Sequence, residues 1–91
     1  MQTPHLDVRL AASAQSVPRI GLIVPKHKHS AIDRNRLRRR LRELIRIQLV
    51  PIVAKGDTLI RAKAEAYEIS FAGLRADIDS VGRWITGVDT R

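Results

Sequence analysis

Arg34-Asn35-Arg36-Leu37-Arg38-Arg39-Arg40-Leu41-Arg42 puts six arginines into nine residues and still keeps its apolar side chains at helical spacing. At about 100° per residue, Leu37, Leu41, Leu44, Ile45 and Gln48 fall on one stripe, and Asn35, Arg38, Arg39, Arg42 and Arg46 on the opposite side. The segment reads as an amphipathic helix, roughly Ala31 to Leu49, stopped by Pro51. Its flanks decide what it packs on. Leu6-Asp7-Val8-Arg9-Leu10 alternates apolar and charged residues, and Arg19 to Val24 repeats the pattern through Ile20, Leu22 and Val24, as half-buried strands do. Ala11 to Pro18, rich in Ser and Ala, is expected to be the hairpin connection between them. Gly56-Asp57 opens a third strand, Thr58 to Lys63.

Glu65 to Ser70 then leads into a second helix, with Ser70 as its N-cap. Phe71, Leu74, Ile78, Val81, Trp84 and Ile85 make the expected buried face, and Gly73 and Gly82 should weaken the helix by about 1 kcal/mol each relative to Ala. The order β-β-α-β-α predicts an α+β fold, a two-layer sandwich with helices covering a small sheet, in a single domain over residues 1–91. Met1 to His5 is expected to be loose.

The charge is local. Lys26 to Arg46 holds nine Lys or Arg against Asp33 and Glu43, a net of +7 out of the chain's +8, while the other 70 residues are almost neutral. Concentrated in this way, the charge builds a directed field for a polyanion. Arg38 and Arg42 are like charges one turn apart, which costs a helix about 0.2 to 0.5 kcal/mol per pair. Glu43 can pair with Arg39 and Arg46 but leaves most of the cluster uncompensated, so phosphates are the natural complement.

At 91 residues with three aromatic side chains, Tyr67, Phe71 and Trp84, the core must be modest and aliphatic. With no cysteine, disulfides and thiolate metal sites are excluded, in keeping with a reducing cytosol. No basic-then-apolar signal peptide stands at Met1, and apolar runs such as Ile47 to Ala54 are far too short to span a bilayer. The expectation is a cytoplasmic protein with no membrane contact.

Lys26-His27-Lys28-His29-Ser30-Ala31-Ile32-Asp33, continuing through the arginine block to Arg42-Glu43, resembles the signature of the protein subunit of bacterial ribonuclease P. That signature runs Lys, a small and a β-branched residue, Arg-Asn-Arg, an apolar residue, a Lys/Arg pair and Arg-Glu. Pro18 to Val24, Gly56 to Ala62 and Ser70 to Ala76 resemble the same family, so the likeness spans roughly Leu6 to Ile85. It implies a ribosomal-protein-like fold with a left-handed β-α-β crossover, against the usual right-handed rule. It also implies a subunit that binds a catalytic RNA and assists removal of the 5′ leader from precursor tRNA, with Mg²⁺ acting with the RNA rather than in a protein site. Carried over by position, Lys26, Arg34, Asn35, Arg36, Arg38, Arg39 and Arg42 would contact that RNA. Lys28 and Arg46, at either end of the segment, complete the candidate set. The chain is expected to be monomeric apart from RNA.

Several features depart from that pattern. Family members usually begin with a further helix and an aromatic stretch that help form a cleft for the single-stranded leader, whereas here the likeness begins almost at Met1. His27 and His29 stand where Lys and Gly are common, and Gly73 where an acidic residue is usual. The second reading is therefore a truncated or divergent relative that binds structured RNA or DNA without recognising the leader. Arg34 projects near the apolar stripe, so it either lies beyond the core edge or anchors the loop through backbone carbonyls. His27 and His29 lack a nearby carboxylate or thiolate pattern for a metal and are read as part of the RNA surface. Phe71 and Trp84 are expected in the core, while Tyr67 is open between core and base stacking. An autonomous enzyme is disfavoured, because Asp77 and Asp79, at i and i+2 on a helix, point apart. A helix-turn-helix DNA reader is disfavoured because strands, not a second helix, flank the basic segment.

Overall fold

The computed structural model describes residues 1–11, 17–53 and 56–89. Strand β1 (Leu6–Ala11) and strand β2 (Arg19–Ile23) precede helix α1 (Ala31–Leu44), which continues into a wide π-helical turn over Ile45–Leu49. Strand β3 (Asp57–Ala62), a short 3-10 turn (Ala64–Tyr67) and helix α2 (Phe71–Asp89) complete the order. This is the expected β-β-α-β-α sandwich, with both helices covering one face of the sheet.

The sheet order is β1-β3-β2, with β1 antiparallel and β2 parallel to β3. The expected hairpin between the first two strands is therefore not formed, although residues 12–16 of its connection lie outside the described residues. A strand, helix and strand in succession pair their strands in parallel, so β3 docks beside β2 and leaves its other edge to β1. In register, Val8, Ile60 and Leu22 form one row across the sheet, and Leu10, Thr58 and Ile20 the next. Leu6, Val8, Ile60 and Ala62 on this face are wholly buried beneath the helices. Arg9, Leu59 and Arg61 alternate onto the outer, exposed face.

Ser30 Oγ accepts a hydrogen bond from Asp33 N–H at 3.1 Å and starts α1, and Ser70 Oγ accepts from Gly73 N–H at 3.1 Å at the start of α2. Leu37, Leu41 and Leu44 bury against the sheet as the stripe requires. Beyond them Val50 N–H donates to Ile45 O, five residues back, at 3.0 Å. This wider turn rotates Leu49 fully into the core and leaves Gln48, expected on the stripe, only half-buried. Gly82 lets α2 lie close on the turn, since a Cβ there would sit 3.0 Å from Ile52 Cδ1 and 3.5 Å from Leu49 Cδ2. Leu74, Ile78, Val81 and Ile85 form the buried stripe of α2, and Trp84 packs half-buried at its margin. Phe71 does not join them. It sits in the first turn with 44% of its surface exposed, short of the stripe that begins at Leu74.

Met1 to His5, expected to be loose, is folded back along the free edge of β1. Met1 N donates to Val8 O at 3.0 Å and Val8 N–H to Met1 O at 2.8 Å. Asp77, buried on α2, holds this segment. One oxygen, Oδ2, accepts from Thr3 Oγ1 at 2.8 Å and from His5 N–H at 3.0 Å, and lies 2.8 Å from His5 Nδ1. Asp79 points the other way and pairs with Arg83 at 3.4 Å on the surface.

Candidate nucleic-acid interface

Burying Leu37, Leu41 and Leu44 turns the opposite side of α1 outward. Asn35, Arg38, Arg39, Arg42, Glu43 and Arg46 line a shallow groove of about 360 Å³ along it. Arg39, Arg42 and Arg46 are exposed and Arg38 is half-buried. Arg46 Nη2 donates to Glu43 Oε1 at 2.6 Å and Nε to Oε2 at 3.3 Å, a forked pair. This hydrogen bond holds the Glu43 carboxyl below its ordinary value and the Arg46 guanidinium above its own. Of the two partners expected for Glu43, the structure shows Arg46. Arg38, Arg39 and Arg42 have no ion pair among the described residues.

The other candidates fall elsewhere. Arg34 is half-buried, and its Nε–H donates to Val24 O at 2.7 Å, tying the first turn of α1 to the end of β2. Of the two alternatives for this residue, the loop anchor is the one formed. Lys26 and Lys28 are exposed on the turn that leads into α1. His29 N–H donates back to Lys26 O at 2.8 Å across His27 and Lys28, whose φ angles are +48° and +70°. Both central residues are thus left-handed, a conformation costing roughly 1–2 kcal/mol for a residue with a Cβ.

That turn delivers His29 onto Tyr67. The two rings stack with centroids 3.9 Å apart and 2° between planes, and His27 meets the same Tyr67 ring edge-on at 6.4 Å and 81°. Tyr67 Oη donates to Pro25 O at 2.5 Å. Burial is the largest influence on this phenol and raises its pKa, with nearby Arg34 pulling the other way. Tyr67 therefore braces the loop before α1. His29 Nδ1 lies 3.7 Å from Asp33 Oδ2.

Arg36 belonged to the candidate set, but it faces the opposite flank of α1 from Arg38 and Arg42. Together with Arg40, which sequence reasoning did not select, it lines a cleft of about 180 Å³ with His29, Asp33, Leu37, Ala66 and Tyr67. The i, i+4 spacing of Arg36 and Arg40 was readable on the wheel. The tyrosine facing them comes from the 3-10 turn and was not.

Taken together, the chain presents a basic helix seated on a small sheet, with guanidinium groups on two flanks. The family model described as Ribonuclease P matches residues 1–84. The ribonuclease P protein component of Acidothermus cellulolyticus is 39% identical over 62 residues, covering 68% of this chain and 52% of that protein. The corresponding protein of Thermobifida fusca is 36% identical over 69 residues, covering 76% and 47%. The chain thus spans about half the length of the curated relatives it matches. The structure of the Staphylococcus aureus RNase P protein superposes with a TM-score of 0.80 at 18% identity, over 91% of this chain and 76% of that one, a likeness of fold. The matched residues include the arginine helix, the strands on either side of it and most of α2, and on that ground the chain belongs to the ribonuclease P protein family.

Proposed function

We propose that this chain is the RNA-binding protein subunit of a ribonuclease P, docking on the catalytic RNA through α1 and assisting removal of the 5′ leader from precursor tRNA. The observation that carries this reading is the groove of Asn35, Arg38, Arg39, Arg42 and Arg46, turned outward by the leucines beneath it. Held flat against a sheet, such a helix presents one face to a surface and does not enter a groove end-on. Structured RNA, recognised by backbone and shape, suits that presentation. In this reading Lys26 and Lys28 extend the contact from the turn, and Arg34 acts indirectly by fixing the turn on Val24.

Hydrolysis belongs to the RNA, which uses Mg²⁺ for it, and the protein's residues bind and orient. No described helix is long and apolar enough to cross a membrane. The reading places the chain in the cytoplasm, monomeric apart from RNA.

The test is cleavage of precursor tRNA by a bacterial ribonuclease P RNA at low Mg²⁺, with and without the chain. Stimulation is expected, and Arg38→Ala with Arg42→Ala should abolish it while leaving the thermal transition in place. RNA binding without stimulation would favour the second reading, a relative that docks on structured RNA but does not recognise the leader. Absence of both would refute the proposal.

A further inference from the structure

The basic groove leaves one feature of α1 unused. Arg36 and Arg40 stand one turn apart on the other flank, with both side chains exposed. They point roughly 120–160° around the helix from Arg38 and Arg42, and they line a separate cleft from the groove.

What faces Arg36 and Arg40 is an aromatic column. Tyr67 is fixed at its hydroxyl by Pro25 O, and His29 lies flat on its ring. The His29 side chain keeps 32% of its surface exposed, so one face of the column is covered and the imidazole end is open. The cleft, of about 180 Å³ and lined by residues of α1, the turn before it and the 3-10 turn, suits a single planar ring with an anion at its mouth and not a duplex. Two guanidinium groups suit a phosphodiester, and aromatic rings suit an unstacked base. Asp33 Oδ2, 3.7 Å from His29 Nδ1, adds an acceptor that favours a base carrying an amino group, as a carboxylate does toward the cytosine N4 amine.

We propose that the cleft between α1 and the 3-10 turn binds one unpaired, amino-bearing nucleotide of an RNA strand, its phosphate between Arg36 and Arg40 and its base stacked on His29. The inference rests on the RNA-binding reading and adds to it a second contact, on the flank opposite the groove. The left-handed turn at His27 and Lys28 is the device that sets His29 in place.

Cytidine 5′-monophosphate is the probe, titrated into the full chain and followed through backbone amide shifts by NMR. Saturable shifts are expected at His29, Asp33, Arg36, Arg40, Ala66 and Tyr67. His29→Ala should weaken binding at least fivefold, the lower end of the loss from a base-aromatic stack. Arg40→Ala, at an exposed position, should also weaken it and serves as the second variant if His29→Ala disturbs the loop. Arg38→Ala with Arg42→Ala should leave the shifts unchanged.

Shifts centred on Asn35, Arg38, Arg39, Arg42 and Arg46, or unaltered by both His29→Ala and Arg40→Ala, would overturn the proposal. So would equal shifts with inorganic phosphate alone, which would reduce the cleft to an anion notch. Binding of folded ribonuclease P RNA, measured in parallel, separates the two readings. Its loss in the Arg38→Ala, Arg42→Ala variant alongside intact nucleotide shifts supports both. Retained wild-type RNA binding without nucleotide shifts sinks only the cleft.

Discussion

Removing a carboxylate from the basic face should make this protein bind RNA more tightly. Glu43 closes a fork on Arg46 at 2.6 and 3.3 Å, so of the arginines along α1 one is spent internally. Arg34 is likewise engaged with Val24 O at 2.7 Å. On the groove Arg38, Arg39 and Arg42 remain for phosphates. Each phosphate contact contributes about −0.7 to −0.9 to the slope of log K against log[salt], so these three arginines predict a slope of about −2 to −3. Glu43→Gln removes the negative charge and frees Arg46 for one more contact. The slope should steepen by nearly one, and affinity near 0.15 M salt should rise about fourfold to fivefold on the same coefficients. Fluorescence anisotropy with folded ribonuclease P RNA across a salt series reads both quantities, and Glu43→Gln combined with Arg46→Ala should return the slope to the parent value. Weaker binding in Glu43→Gln would refute the reasoning, because it would mean that the fork positions Arg46 for RNA and does not withhold it.

Three further outcomes follow from contacts elsewhere. Asp77→Ala removes the acceptor for Thr3 Oγ1 and His5 N–H; bonds to a charged acceptor count for about 1.5–3 kcal/mol each, and relief of carboxylate burial offsets part of this. A net loss of about 2–3 kcal/mol and a fall in Tm of roughly 10–20 °C are expected, and urea melts showing under about 1 kcal/mol would contradict the role given to Asp77. Lys28→Gly relieves a left-handed residue at about 1–2 kcal/mol but increases unfolded-chain freedom by about 0.4–1 kcal/mol; Tm should rise by a few degrees while RNA affinity falls, and a lower Tm would count against strain in the turn. Asp57, hydrogen-bonded by Arg19 Nε and Nη2 at 3.0 and 2.8 Å, has its carboxyl held below its ordinary value of 3.8 chiefly by that bond. With the folded pKa depressed, its stabilising contribution is present above pH 3.8 and is lost as pH falls through the lower folded value. Arg19→Gln should flatten that acid limb of stability, and an unchanged limb would show that the pair contributes nothing.

What the sequence disclosed was whatever local periodicity could encode. Leu37, Leu41 and Leu44 on α1 and Leu74, Ile78, Val81 and Ile85 on α2 bury as their spacing requires, and Ser30 and Ser70 cap as their chemistry requires. The misreadings are non-local. Taking β1 and β2 as a hairpin assumed that neighbours in sequence are neighbours in space, whereas β3, arriving after α1, pairs with both. A fixed 100° wheel could not anticipate the π turn that exchanges Gln48 for Leu49 in the core. Asp77 meets Thr3 across 74 positions, and nothing around either residue signals the other. Gly73 was read as a weak point in α2, yet a Cβ there would lie 2.3 Å from Ile69 Cγ1, so the residue makes room for a side chain that packs against the core.

The site was legible for a different reason, which the energetics of α1 make plain. Its like-charged pairs, Arg38 with Arg42 and Arg36 with Arg40, each oppose the helix by about 0.2–0.5 kcal/mol. Leu37, Leu41 and Leu44, between 0% and 4% exposed, each contribute about 1.5–3 kcal/mol by burial, several times the repulsion. The helix is held from below, so its upper surface need not be neutral to be stable. Once packing has settled the fold, the arrangement of arginines is free to answer to a ligand, and uncompensated charge becomes a record of what that ligand carries. On the groove flank the record is charge and one asparagine, which any phosphate backbone satisfies. On the cleft flank it includes two rings and a carboxylate from three separate segments, and that combination asks for a base as well as a phosphate.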